Sequence, residues 1–252
     1  NVSPVFDNAP WKIVYNESGN GLLIKAVKLA SQCDVIDKRK WVGTLAMPAG
    51  VVLQDTKQLI GTELQNQYHC EPVFPKDYIF EGHYKLFCKQ ILWPTFHYQI
   101  PDDPKSKAFE DHSWDQYYAL NQMIADRVVN VYLEEQKLAP DVEHVIWVHD
   151  YHLLLVPQMI RDKLPDARIG FFLHISFPSS EVFKVFATRK ELLRGMLGAN
   201  CITFQTTEYV RHFLQTTSRL LLADSSSTGI TFEGRSIVVN TIPVGIDTPT
   251  LE

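Results

Sequence analysis

The chain has 252 residues, enough for a large α/β unit with a full core. Hydrophobic residues make up 45% and charged residues 21%, the balance of an ordinary globular domain. A net charge of -5 argues against a nucleic-acid binder, and no apolar run reaches the roughly 18 residues that a membrane span needs.

The stretch Asn1 to Asn8 is polar, with no basic start and no apolar core, so no signal peptide is read and the expected compartment is the cytoplasm. Asn16-Glu17-Ser18 is a chance sequon in that setting. Cys33, Cys70, Cys88 and Cys201 show no CxxC spacing and read as free, buried thiols. Ser18-Gly19-Asn20-Gly21-Leu22 has two readings: a backbone that approaches an anion ahead of a helix, or an ordinary turn. Trp41 to Leu45 and Glu71 to Phe74 predict short strands. Gly82 to Ile91 predicts a helix within HYKLFCKQILWPTFHY (His83 to Tyr98). Its rings either line a sugar pocket, since aromatic faces stack on apolar sugar faces, or fill a core. Pro101 to His112 reads as a charged loop. Ser113-Trp114-Asp115-Gln116 has the spacing of a capping box, and Tyr117, Leu120, Ile124, Val128 and Val131 then share one helical face.

From Val145 onward strands and helices alternate. Val145 to Val148 is a buried strand ending at His149-Asp150. Leu153 to Lys163 predicts a helix, against which Pro157 counts unless it sits in the first turn. Ile169 to Leu173 is the next strand, ending at His174. Pro178-Ser179-Ser180-Glu181 opens a helix, with serines to cap and an acid in the first turn. Arg189 to Leu197 continues helically. Cys201 to Phe204 is a strand. Thr206 to Leu222 is a helix with Tyr209, Val210, Phe213 and Leu214 on one face. Ala223 to Gly234 is Ser/Gly-rich and reads as a surface loop, and Ile237 to Asn240 is a further strand. The alternation predicts an α/β fold: a Rossmann-like parallel sheet flanked by helices.

In such sheets ligands bind outside the carboxyl ends of the strands. Two polar clusters fall there: His149-Asp150-Tyr151-His152 and His174 to Glu181. Asp150 is suited to accept hydrogen bonds from sugar hydroxyls, and His174 to donate to a hydroxyl or a leaving phosphate. The competing reading makes Asp150 a helix cap and leaves the HxxH spacing of His149 and His152 without meaning.

ILWPTFHY (Ile91 to Tyr98), VIWVHDYHLLLVPQMIR (Val145 to Arg161), IGFFLHISFPSSEVF (Ile169 to Phe183), RKELLRGMLGA (Arg189 to Ala199), FQTTEYVRHFL (Phe204 to Leu214) and PVGID (Pro243 to Asp247) together resemble the trehalose-6-phosphate synthase family. These are retaining glycosyltransferases of the GT-B type, with two facing Rossmann-like domains. The resemblance implies that residues 1–252 are the N-terminal domain, with the nucleotide-sugar domain absent. It implies glucose transfer from UDP-glucose to glucose 6-phosphate, with no cofactor and no metal at the reaction centre. It assigns Tyr84, Trp93 and Asp150 to the acceptor pocket, His174 to the donor sugar, and Gly21 to the nucleotide phosphates. Asp150 and His174 are then the candidate catalytic pair.

The departures from the family pattern are as informative. No Ser-Asn-Arg segment is visible before Gly21, and Asn20 replaces the first loop glycine. Lys85 and Lys89 stand where the family has asparagines, and Ser176 stands where it has proline. HYQIPDDPKSKAFEDHSW is most similar to the fungal synthase-like regulatory subunits of the trehalose synthase complex. That resemblance implies a non-catalytic regulatory or scaffold role, with the other subunits as partners. The alternatives it leaves are an active UDP-forming synthase and the synthase-like N-terminal domain of a trehalose-6-phosphate phosphatase.

Overall fold

The computed structural model describes residues 13, 36, 38–45, 50, 52–99 and 113–245. Gly21 with its loop, and the loop from Pro101 to His112, lie outside the described residues. The residues up to Phe74 form one compact unit and Pro75–Pro243 another.

In the first unit β1 (Trp41–Thr44) and β2 (Cys70–Val73) pair in parallel, Trp41 opposite Cys70. Between them runs α1 (Gln54–Tyr68), which the sequence analysis did not find. Its apolar face is thin, with only Ile60 and Leu64 buried, so the periodic signal is weak. His69 at φ 53 ends it in the left-handed conformation, its N–H donating to Leu64 O.

The second unit starts with one continuous helical stretch. It consists of α2 (Asp77–Phe80), a π-helix over Glu81–Leu92, and α3 (Trp93–Phe96). The long α4 (Trp114–Leu138) buries Tyr117, Leu120, Ile124 and Val131 as expected, together with Val129 rather than Val128. Ser113 is buried and makes no capping bond with its side chain, so the capping box is corrected.

Next come β3 (Val145–His149), a 3-10 turn (Tyr151–Leu153), α5 (Val156–Arg161) and β4 (Arg168–Phe172). Pro157 falls in the first turn of α5, where its missing N–H costs nothing. The chain continues through α6 (Ser180–Phe183), α7 (Arg189–Leu197), β5 (Cys201–Phe204) and α8 (Thr207–Leu221). Thr206 caps α8 by accepting from the Tyr209 N–H. The last elements are β6 (Asp224–Ser225), β7 (Gly229–Phe232) and β8 (Arg235–Thr241).

The sheet order is β3-β4-β5-β8-β7-β6. The first four strands are parallel, and β8-β7-β6 close the edge antiparallel. The fold is therefore the expected α/β arrangement, with one correction: Ala223 to Gly234 is not a plain surface loop. It folds back as β6 and β7, with Ile230 buried and the polar residues facing solvent. The three described cysteines are free; Cys88 is buried, but Cys70 and Cys201 are only partly so.

Two features of the core hold the site. Phe96, Phe177, Phe183, Phe204 and Phe213 form a buried ring cluster that fixes the segment after β4. Such pairs add about 0.5–1.5 kcal/mol each beyond area burial. On the other side, α4 satisfies the backbone of the turn after β3. The Tyr117 hydroxyl donates to Tyr151 O (2.8 Å) and accepts from the Leu154 N–H (3.1 Å). Asn121 donates to His152 O (3.1 Å) and accepts from the Leu155 N–H (3.2 Å).

Candidate functional site

β3 and β4 end side by side, with His149 opposite Phe172. The Asp150 N–H donates to Phe172 O at 2.8 Å, and its carboxylate accepts from the His174 backbone N–H at 3.3 Å. Asp150 and His174 thus share one rim at the carboxyl ends of neighbouring parallel strands. The Asp150 side chain makes no capping bond to the 3-10 turn that follows.

The backbone of Asp150 sits at φ 70, ψ 170, a region that is essentially glycine's. An aspartate there costs on the order of 1–3 kcal/mol and persists only when its surroundings over-determine it. The bonds from Tyr117 and Asn121 to residues 151–155 supply that constraint. Burial pushes the Asp150 carboxyl above its usual range, while backbone N–H bonds and the nearby His174 and Lys89 pull it down.

His174 Nε2 lies 3.1 Å from His149 Nδ1. Burial lowers both imidazoles, His149 to about 4, and the Asp150 carboxylate pulls His174 in the other direction. Both are neutral at pH 7, so one ring donates to the other. When His149 Nδ1–H donates, His174 accepts at Nε2 and carries its proton on Nδ1, the form that donates to a hydroxyl. His149 therefore positions His174. His152 turns elsewhere, stacking on Tyr84 and Tyr151, so the HxxH pair is not a joint ligand set. Among the described residues no three His, Cys, Asp or Glu side chains cluster as a metal site.

Tyr84 and Trp93 come from the π-helix and its continuation. Hydrogen bonding from i to i+5 brings residues five apart onto one side, so Tyr84 and Lys89 stack. In an α-helix they would stand about 140° apart. The Lys89 ammonium lies 5.4 Å from the Tyr84 ring, 4.7 Å from Trp93 and 5.9 Å from Tyr151. Tyr84 and Trp93 are each 37% exposed; Tyr84 stacks on Phe80 and His152, and Trp93 packs against His97. Tyr151 lies 5.7 Å from Trp93 by ring centres, and His152 Nδ1 is 3.7 Å from Asp150 Oδ2. The structure brings Tyr84, Trp93, Asp150 and His174 into one contiguous group.

His149, Tyr151 and His152 were read from sequence only as members of the polar cluster after β3, with no role of their own, and Lys89 was not assigned to the site. Lys89 stood out only as a departure from the family pattern, and only the π winding turns its spacing from Tyr84 into proximity. Ser176, the other departure, donates to Phe96 O at 2.6 Å and ties the β4 segment to α3. A recess of about 900 Å³ opens away from the rim, between α8 and β8, beside Val210, Leu214 and Val238. It holds Arg211 and Arg219 but no acid–imidazole pair, so the chemistry points to the strand ends instead.

The model of glycosyltransferase family 20 matches residues 2–252. The chain belongs to glycosyltransferase family 20. It is 49% identical over 96% of its length to the trehalose synthase complex regulatory subunit TPS3 of Saccharomyces cerevisiae, and 48% identical over 96% to the regulatory subunit TSL1 of the same yeast. It spans about a fifth of each of those relatives, 22% of their length. Among solved structures it superposes on the N-terminal domain of the trehalose-6-phosphate phosphatase of Candida albicans with a TM-score of 0.70 and 31% identity. That match covers 96% of this chain and 48% of the other. No helix among the described residues is long and apolar enough to cross a membrane.

Proposed function

We propose that this family 20 chain is the synthase-like domain of a cytoplasmic regulatory subunit in a trehalose synthase complex. In this reading it keeps a sugar-binding rim and does not itself transfer glucose. The observation that carries the rim is Asp150, an acid held in a glycine's conformation beside His174 and near two part-exposed aromatic side chains. The similarity to TPS3 and TSL1 supports the regulatory assignment.

The apolar face of a hexose stacks on Trp93 and Tyr84. Asp150 accepts from its hydroxyls, and neutral His174 donates. The family resemblance assigns Gly21 to the phosphates of UDP-glucose. Neither Asp150 nor His174 acts as a covalent nucleophile. In a catalytic member the two would hold reactants in line and stabilise charge rather than form a glucosyl-enzyme. The likeness to the Candida phosphatase domain favours a second reading, the N-terminal domain of a phosphatase.

The full-length protein, given UDP-glucose and glucose 6-phosphate, is expected to release no UDP above the buffer rate. It is expected to co-elute with a synthase subunit and change that subunit's rate. Formation of trehalose 6-phosphate by the protein alone would overturn the non-catalytic reading, and failure to associate would overturn the regulatory one. Release of phosphate from trehalose 6-phosphate would favour the second reading.

A further inference from the structure

We propose that the recess along α8 is a docking groove for an acidic amphipathic helix of the synthase subunit. The inference rests on the regulatory reading and goes one step further, to the surface through which that regulation passes.

The recess between α8 and β8 is elongated, because one stripe of α8 lines it from end to end. Thr207, Val210, Arg211, Leu214, Ser218 and Arg219 recur at i, i+3, i+4, i+7, i+11 and i+12. At 1.5 Å per residue the stripe is about 18 Å long, room for roughly three turns of a helix laid beside it. Its middle is apolar, with Val210 and Leu214 from α8 and Val238, 53% exposed, from β8.

The charge on the groove selects its guest. Arg211 stands toward one end and Arg219 at the other, about 12 Å apart along the helix axis. Among the described residues that line the groove, none is acidic. The acids nearest these arginines stand outside it: Glu208 lies 3.8 Å from Arg211, and Glu181 lies 3.5 Å from Arg219. Both pairs are exposed and water screens them. The Arg219 nitrogen that faces Glu181 also donates to Ser180 Oγ at 2.7 Å, which leaves the rest of its fork for a partner's carboxylate. A matching helix lays apolar side chains on Val210, Leu214 and Val238. It carries carboxylates about seven or eight residues apart to meet the two arginines.

A second observation lies beside the groove. Leu222 follows α8 at φ 56, a left-handed position that usually falls to glycine, and it is 87% exposed. It stands three residues after Arg219 and three before Ser225, both of which line the groove. Folding gains little from a strained leucine held in solvent, whereas a docked helix would bury it.

Binding of the full-length protein to a purified synthase subunit, measured by biolayer interferometry, tests this. Arg211→Glu combined with Arg219→Glu is expected to weaken association about tenfold to a hundredfold and to remove most of its salt dependence. Leu222→Asn should weaken association while leaving the melting temperature of the protein alone unchanged or higher, because asparagine tolerates the left-handed conformation. Association of these variants at the unaltered strength overturns the docking groove and leaves the regulatory reading standing. A lower melting temperature of the Leu222→Asn protein alone also overturns it, since the leucine would then pack on another part of its own chain. If the unaltered protein fails to bind the synthase subunit, the regulatory reading falls and this inference falls with it.

Discussion

Gly198→Ala is expected to cost about 3 kcal/mol or more, at the upper end for an overpacked contact. Gly198 follows α7 directly and meets α5 backbone to backbone. A Cβ there would overlap the Gln158 N and Cα and the carbonyl carbon of Pro157. At Gly195 it would strike the Leu154 O and come within 2.7 Å of the Leu155 Cα. These are main-chain atoms, so no rotamer change relieves the clash. The segment cannot retreat easily, because two arginines grip its carbonyls. Arg161 donates to Gly198 O at 3.1 Å, and Arg235 donates to Leu197 O at 2.7 Å and Ala199 O at 2.9 Å. Prying α5 from α7 also pulls on Leu154 and Leu155, whose N–H groups anchor the turn that carries Asp150. The urea midpoint should therefore fall sharply for Gly198→Ala and Gly195→Ala. Gly170→Ala in β4 should stay within about 0.5 kcal/mol, since its Cβ meets only the Trp147 ring at 3.6 Å. An unchanged midpoint for Gly198→Ala contradicts this packing.

Stability is expected to fall steeply between pH 6.5 and 4. Burial lowers His83 to about 4, with its bond to the His152 carbonyl working the other way, and lowers His152 to about 3. His149 is also lowered to about 4 by burial, with the neighbouring His174 adding to the effect. The direction follows from proton binding. Each histidine titrates near 6.5 when unfolded but stays neutral in the fold to a lower pH. The unfolded state therefore binds more protons over this interval, and stability present above about pH 6.5 is lost as pH falls toward 4. For His83, 4% exposed, the loss at pH 5 is roughly 2 kcal/mol. His149 and His152 push in the same direction. Against a total of roughly 5–15 kcal/mol, that is enough to lower the melting temperature visibly. Thermal unfolding at pH 7 and pH 5 checks it, with His83→Gln expected to flatten the slope. A melting temperature that does not move between those pH values contradicts the buried, neutral state of these rings.

The second unit was largely legible in the sequence because its signals are strong and local. The apolar runs Val145 to Val148 and Ile169 to Phe172 form parallel strands as expected. β3 is not buried throughout: Val145 and Trp147 are exposed while Ile146 and Val148 face the core, because β3 is the last strand of its sheet. α7 and β5 fall at the expected bounds, Arg189 to Leu197 and Cys201 to Phe204. Where the signal was thin the sequence misled. β6 (Asp-Ser) and β7 (Gly-Ile-Thr-Phe) are short strands, β6 paired to β7 and β7 to β8, held by that pairing rather than by their own propensity. The expected capping bond of Ser113 is likewise absent.

The site was half legible. Asp150 and His174 follow from strand ends, which the apolar runs mark plainly. Tyr84 and Trp93 came from the family resemblance, because a π-helix has no sequence signature that a helical wheel would reveal. Lys89 needed coordinates, because its place depends on the winding of the helix. The strained backbone of Asp150 was equally invisible, since no rule places an aspartate at φ 70.

Comparing Asp150→Gly with Asp150→Ala reaches the centre of the account, because both lose the carboxylate and only glycine relaxes the main chain. The full-length glycine variant should be the more stable of the two by about 1 kcal/mol, after allowance for its larger entropy when unfolded, while neither binds glucose 6-phosphate. A glycine variant that is no more stable than the alanine one, and that still holds the sugar phosphate as tightly as the unaltered protein, would mean that this acid is neither strained nor at the ligand.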